Sequence, residues 1–144
     1  MIKIYYPHYA FKIKEEEYGK EFIFDEQRKQ WVRLTDEEWV RQNMIQYLLL
    51  KEYPGSLVAV EKEIKLGELT KRCDIVVYNR NALPFMIIEC KEMNAALSEK
   101  TLEQILRYHI TVPADYLIVT NGSYCFGFKK IENQFIEIND FPDY

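Results

Sequence analysis

Two apolar runs, CDIVVYN (73–79) and PFMIIECKE (84–92), stand only four residues apart, with RNAL between them. A parallel return would need a crossover of a dozen or more residues, so these runs must pair as an antiparallel hairpin. Asp74 heads the first strand, and Glu89 and Lys91 close the second, so the hairpin folds residues near 74 back beside residues near 91. Side chains alternate along a strand, which puts Glu89 and Lys91 on one face and Cys90 on the other. Taken alone, a Glu-x-Lys triplet fits an ordinary strand-end ion pair as well as half of a metal site. With Asp74 across the hairpin the balance changes. Two carboxylates held close together repel, a divalent cation relieves that repulsion, and a neighbouring lysine can orient a water or neutralise charge on a phosphate.

Around this hairpin the chain alternates between strand and helix patterns. A β-rich leader (1–34) contains YAFKI (9–13), KEFIF (20–24) and WVRL (31–34), with DEQRKQ (25–30) as an exposed turn or loop. The segment 35–54 is the clearest helix: Thr35 is the N-cap, Glu38 completes a capping-box pattern, and Val40, Met44, Tyr47 and Leu48 recur at helical spacing. LVAVEKEIKL (57–66) reads as a strand with Val58, Val60, Lys62 and Ile64 on one side, and GELTKR as the turn after it. Residues 98–112 form a second helix, with Ser98 as N-cap, an inward stripe of Leu102, Ile105, Leu106 and His109, and Pro113 as its stop. DYLIVTNG (115–122) is a strand running into a turn at Thr120-Asn121-Gly122, and a hairpin fills 123–144. The expectation is one α/β domain of 144 residues, a central mixed β-sheet flanked by helices, with a core over 35–122.

A hydrophobic content of 48% excludes general disorder, and a net charge of −4 argues against a basic nucleic-acid coat, although 19 Lys and Arg can still cluster locally. Cys73, Cys90 and Cys125 are too scattered for a zinc knuckle and odd in number, which favours buried thiols in a reducing cytoplasm. No signal-peptide core or membrane span is legible.

The stretch RCDIVVYN…LPFMIIECKE resembles the Asp…Glu-x-Lys signature of the PD-(D/E)xK nuclease superfamily. With LTDEEWVRQNMIQYLLLKEYP, VAVEKEI, LEQILRYHI and YLIVTNG in the same order, residues 34–122 resemble the N-terminal nuclease domain of type I restriction enzyme restriction subunits. The resemblance implies a restriction-endonuclease-like core and Mg2+-dependent hydrolysis of DNA phosphodiesters, with Mn2+ as a possible substitute. It implies Asp74 and Glu89 as metal ligands and Lys91 as the catalytic lysine. It also implies a glutamate on the first helix, where Glu37 and Glu38 compete. Placed at 100° intervals, Glu37 falls near the centre of the Val40–Met44–Leu48 face, which favours Glu37 for the site and leaves Glu38 a capping role. Gln104 and Tyr108 match the family's Gln-x-x-x-Tyr motif, and at i, i+4 they share a helix face. Asp36 stands where the family usually has proline. Restriction subunits continue into a helicase-like motor, whereas this sequence ends at Tyr144, so a stand-alone domain without translocation is expected.

Other residues carry milder readings. Glu61 matches a family position and shares a strand face with Glu63, and a solvated strand face accounts for it equally well. Arg72 suits either a phosphate or a strand-end charge, while core packing or surface is the default for His8, His109, Trp31 and Trp39. The competing functional class is a catalytically inactive nuclease fold kept as a nucleic-acid or protein-binding module. For either class the expected partner is DNA, with a homodimer or separate motor and specificity subunits as further partners.

Overall fold

The computed structural model describes residues 1–144 and contains nine strands and two α-helices. In the leader, β1 (Ile13–Glu15), β2 (Glu21–Asp25) and β3 (Gln30–Arg33) form a small antiparallel sheet. The strand expected over 9–13 starts only at Ile13, with one further backbone bond from the Phe24 N–H to Lys12 O at 2.9 Å, and the residues before that pack. Phe11 stacks edge-on against both Tyr9 and Trp39, at centroid distances of 5.9 and 5.3 Å. The segment 25–30 is not simply exposed, since Asp25 is fully buried.

Helix α1 (Asp36–Leu50) begins where expected: the Thr35 hydroxyl accepts the Glu38 N–H at 3.0 Å. It buries Val40, Met44, Ile45 and Leu48, and it ends short of Pro54 because Glu52 turns left-handed, φ 66°. The central sheet follows chain order: β4 (Val58–Leu66), β5 (Leu69–Tyr78), β6 (Pro84–Cys90), β7 (Tyr116–Thr120), β8 (Cys125–Ile131) and β9 (Gln134–Ile138). Every neighbouring pair is antiparallel except β6–β7, whose parallel return is made through helix α2 (Glu99–His109). The C-terminal hairpin therefore extends the central sheet.

α1 packs on one face against Ile75, Val77, Met86 and Ile88, and α2 on the other against Val76, Ile87, Leu117 and Val119. Burial on both faces explains the unbroken apolar runs. The expected architecture, a mixed sheet between helices with a β-rich extension, is the one observed. No helix is long and apolar enough to cross a membrane.

Two details depart from the sequence reading, and both shape the site. The turn after β4 is only Gly67-Glu68, with Leu66 paired to Leu69, so Asp74 lies inside β5 rather than at its head. Val58 and Val60 pack on the α1 side, but Ile64 and Leu66 pack on the α2 side. The strand changes phase at Glu61, whose φ of 53° breaks the alternation that would have kept all four positions on one face. β5 breaks phase beside it: Cys73 and Val76 lie an odd number of residues apart, yet both pack on the α2 side.

Candidate active site

The phase break brings Glu61 and Asp74 within reach of α1, where Arg41 meets them. Its Nη2 lies 2.8 Å from Asp74 Oδ1, 2.8 Å from Glu61 Oε1 and 3.7 Å from Glu37 Oε2. Its Nη1 lies 2.6 Å from Glu38 Oε1. Burial alone would lower the Arg41 pKa, but the charges of Glu38, Asp74 and Glu61 outweigh it and hold the guanidinium protonated. Glu38 also accepts both its oxygens' worth of bonds from Arg28 Nη2, at 2.9 Å each, and one from Gln42. Arg28 in turn donates to buried Asp25. A continuous series of ion pairs thus runs from the β2–β3 turn through α1 to β5.

Asp74 is held from both sides. Its Oδ2 accepts the Cys90 N–H at 2.8 Å, while its Oδ1 faces Arg41. The paired register of β5 and β6 ends at Ile75–Ile88, which leaves Asp74 beside the Glu89–Cys90 end of β6. Burial, then the Glu89 charge, push the Asp74 carboxyl up to about 6, although the Cys90 N–H and Arg41 pull the other way. Glu89 leans toward the second helix: Lys91 Nζ lies 3.5 Å from its Oε1, and His109 Nε2 lies 3.4 Å from its Oε2. Lys91 is half-buried, and its N–H donates to Thr120 O at 2.8 Å, fixing the end of β6 beside β7.

Asp74, Glu89 and Lys91 therefore sit together at one end of the hairpin, with Glu37 half-exposed at the rim of the Arg41 cluster. Glu38 does more than cap. Its backbone N–H makes the capping bond, and its buried carboxylate neutralises the buried Arg41 guanidinium and the half-buried Arg28 one. Gln104 is exposed and makes no side-chain hydrogen bond, and the Tyr108 hydroxyl accepts the Arg72 N–H at 3.4 Å while Lys71 lies 4.0 Å over its ring. Neither hydrogen-bonds to Lys91. Arg72 is paired to Glu61.

Sequence reasoning missed two residues. Arg41 carried a signal, standing four residues after Glu37 and three after Glu38, where helix neighbours meet. His109 was read as core, and it is buried at 2% exposure, but the next-door strand presents Glu89 to its ring.

No group of three or more Asp, Glu, His or Cys side chains is gathered at metal-holding geometry. The donor chemistry nevertheless fits a hard divalent cation. The two groups at this end of the hairpin are carboxylates, hard oxygen donors, and the Asp74 carboxyl is pushed up first by burial and then by the Glu89 charge, against the pull of the Cys90 N–H and Arg41.

A family model described as "Type I restriction enzyme R protein N terminus (HSDR_N)" matches residues 36–142. Among solved structures, the type IIG restriction endonuclease BpuSI is 21% identical, with a TM-score of 0.47; the match covers 66% of this chain and 11% of that one. The chain thus spans a small part of that enzyme's length. No curated protein matches this chain.

Proposed function

Since the chain belongs to the family of type I restriction enzyme R protein N termini, we propose that this nuclease-like domain is a Mg2+-dependent endodeoxyribonuclease acting at Asp74, Glu89 and Lys91. The observation that carries the reading is the gathering of Asp74, Glu89 and Lys91 at one end of the β5–β6 hairpin, with Asp74 Oδ2 2.8 Å from the Cys90 nitrogen and Lys91 Nζ 3.5 Å from Glu89 Oε1. Asp74 and Glu89 would hold the cation, with Glu37 binding directly or through water. When bound, it supplies an activated water and neutralises charge on the phosphate. The chain's own residues supply placement. The Cys90 N–H and Arg41 fix both Asp74 oxygens, and His109 and Lys91 flank Glu89. Lys91, half-exposed on a flexible stem, can swing its ammonium toward a scissile phosphate and stabilise the charge that builds there.

One observation favours the second reading, a binding module without cleavage: both Asp74 oxygens already have partners within the protein. The test is cleavage of plasmid, linear, single-stranded and branched DNA with Mg2+ or Mn2+, by wild type, Lys91→Ala and Asp74→Ala. Metal-dependent nicking lost in both variants is the expected result. Nicking that survives both substitutions overturns the site, and no nicking by wild type on any substrate selects the binding module.

A further inference from the structure

The leader sheet has an outer face that its fold does not require. The register pairs Lys14 with Phe22, Phe22 with Arg33, and Phe24 with Trp31, so these side chains share one face. Lys12 joins them, its Nζ 5.6 Å from the Phe24 ring. The inner face carries Ile23 and Asp25, both fully buried, and suffices to dock the sheet. On the outer face, where polar residues are the default, three aromatic rings alternate with three cations. Trp31 is 40% exposed, Phe24 meets it edge-on at 5.4 Å, and Lys14 Nζ lies 4.6 Å over the Trp31 ring.

We propose that this face binds single-stranded nucleic acid, through base stacking on Trp31, Phe22 and Phe24 and phosphate contacts from Lys12, Lys14 and Arg33. Charge complementarity selects a polyanion. Lys12, Lys14 and Arg33 gather on this face of a chain that overall carries 19 Lys and Arg against 23 Asp and Glu. Trp31 exposed, with Phe22 and Phe24 half-buried beside it, selects a strand whose bases have free faces, which a duplex hides within its own stack. Each lysine resting on a ring marks where a base and its phosphate can exchange places with the ammonium. Glu16, 3.1 Å from Lys14 Nζ, is the acid that competes for that cation.

The platform is fastened to the candidate active site. Arg28, in the β2–β3 turn, pairs with Asp25 and Glu38, and Glu38 shares Arg41 with Asp74. The platform strands also lie outside the matched family residues 36–142, so this surface is an attribute of the leader.

The experiment is fluorescence anisotropy of end-labelled oligothymidylate, and of a duplex of equal length, with the full chain in EDTA, where metal-dependent hydrolysis does not intervene. Expected is preferential, salt-sensitive binding of the single strand. Trp31→Ala and Phe24→Ala should each weaken it about tenfold, the effect of roughly 1.4 kcal/mol from a lost stack. Arg33→Gln should reduce the slope of log affinity against log salt by about 0.7, and Glu16→Gln should tighten binding. Ile136→Ala, exposed on β9, should change nothing. Melting curves verify that each variant is folded. Equal affinity for duplex, affinity unmoved by Trp31→Ala and Phe24→Ala, or no binding overturns the proposal. Loss of platform binding with cleavage intact leaves the nuclease reading standing, and binding without cleavage does the reverse.

Discussion

Replacing Arg41 by Gln removes the one cation that contacts Asp74, Glu61, Glu37 and Glu38 together. Arg41 is 5% exposed, so solvent does little to screen what is lost. Deleting one partner of a buried ion pair costs about 3–5 kcal/mol, because the other charge stays buried. Here the low end applies, because each carboxylate keeps another donor: Glu38 retains Arg28, Asp74 retains the Cys90 N–H, and Glu61 retains Arg72. A loss of about 3 kcal/mol, at roughly 3–4 °C per kcal/mol for a chain of this size, lowers Tm by about 10 °C. The assay is thermal melting by circular dichroism in EDTA, repeated with excess Mg2+. In EDTA, Arg41→Gln melts well below wild type, and Arg41→Lys falls between, keeping the charge but not the two-pronged geometry. On the proposed metal site, Mg2+ should restore more stability to the Gln variant than to wild type, a cation at Asp74 standing in for the missing charge. A Gln variant melting within about 1 kcal/mol of wild type in EDTA refutes the assignment of Arg41 as the counter-ion of this cluster.

Burial acts to raise the Asp25 carboxyl, but the Arg28 backbone N–H and guanidinium outweigh it and hold the pKa below the usual value. A depressed carboxylate stabilises the fold above its unfolded pKa, about 3.9, and loses that contribution as pH falls through the folded value. Asp25→Asn should therefore cost about 2 kcal/mol at neutral pH in urea titrations, with the gap to wild type closing as pH falls below about 4. Burial, with nearby acidic charge, pushes the Cys73 thiol up to about 12; burial likewise raises Cys125 to about 12 and Cys90 well above its usual range. None of the three should react with Ellman's reagent until the protein unfolds, and fast stoichiometric labelling of the native state would contradict their burial. A Cβ on Gly127 would fall 2.6 Å from Ile2 Cδ1 and 3.0 Å from Ile138 Cγ1, so Gly127→Ala should cost about 1–3 kcal/mol by overpacking. Ile2→Ala in the same chain should recover part of that loss, and additive effects in a double-mutant cycle would show that the clash is not with Ile2.

How much was legible depended on how far each inference reached along the chain. The Asp74…Glu89-x-Lys91 hairpin could be read directly, because a four-residue link admits only an antiparallel pairing, but its register, which shifts between Val77 and Tyr78, could not. The two helices were legible from Thr35, Ser98 and their apolar stripes, since caps and periodicity are local properties. Tertiary structure decided what surrounds those carboxylates. A glutamate in the left-handed region announces nothing in sequence, yet Glu61 at φ 53° marks where β4 changes phase, and with it Glu61 and Asp74 meet Arg41. The same limit hid His109, whose neighbour Glu89 arrives from a strand 20 residues earlier, and it hid the outward turn of Trp31, set by which face of a three-stranded sheet Ile23 claims for the core. Alternation and helical period follow from local backbone geometry and can be read from residue order. The partner of a charge, and the face that meets solvent, depend on segments far apart in the chain that only folding brings together.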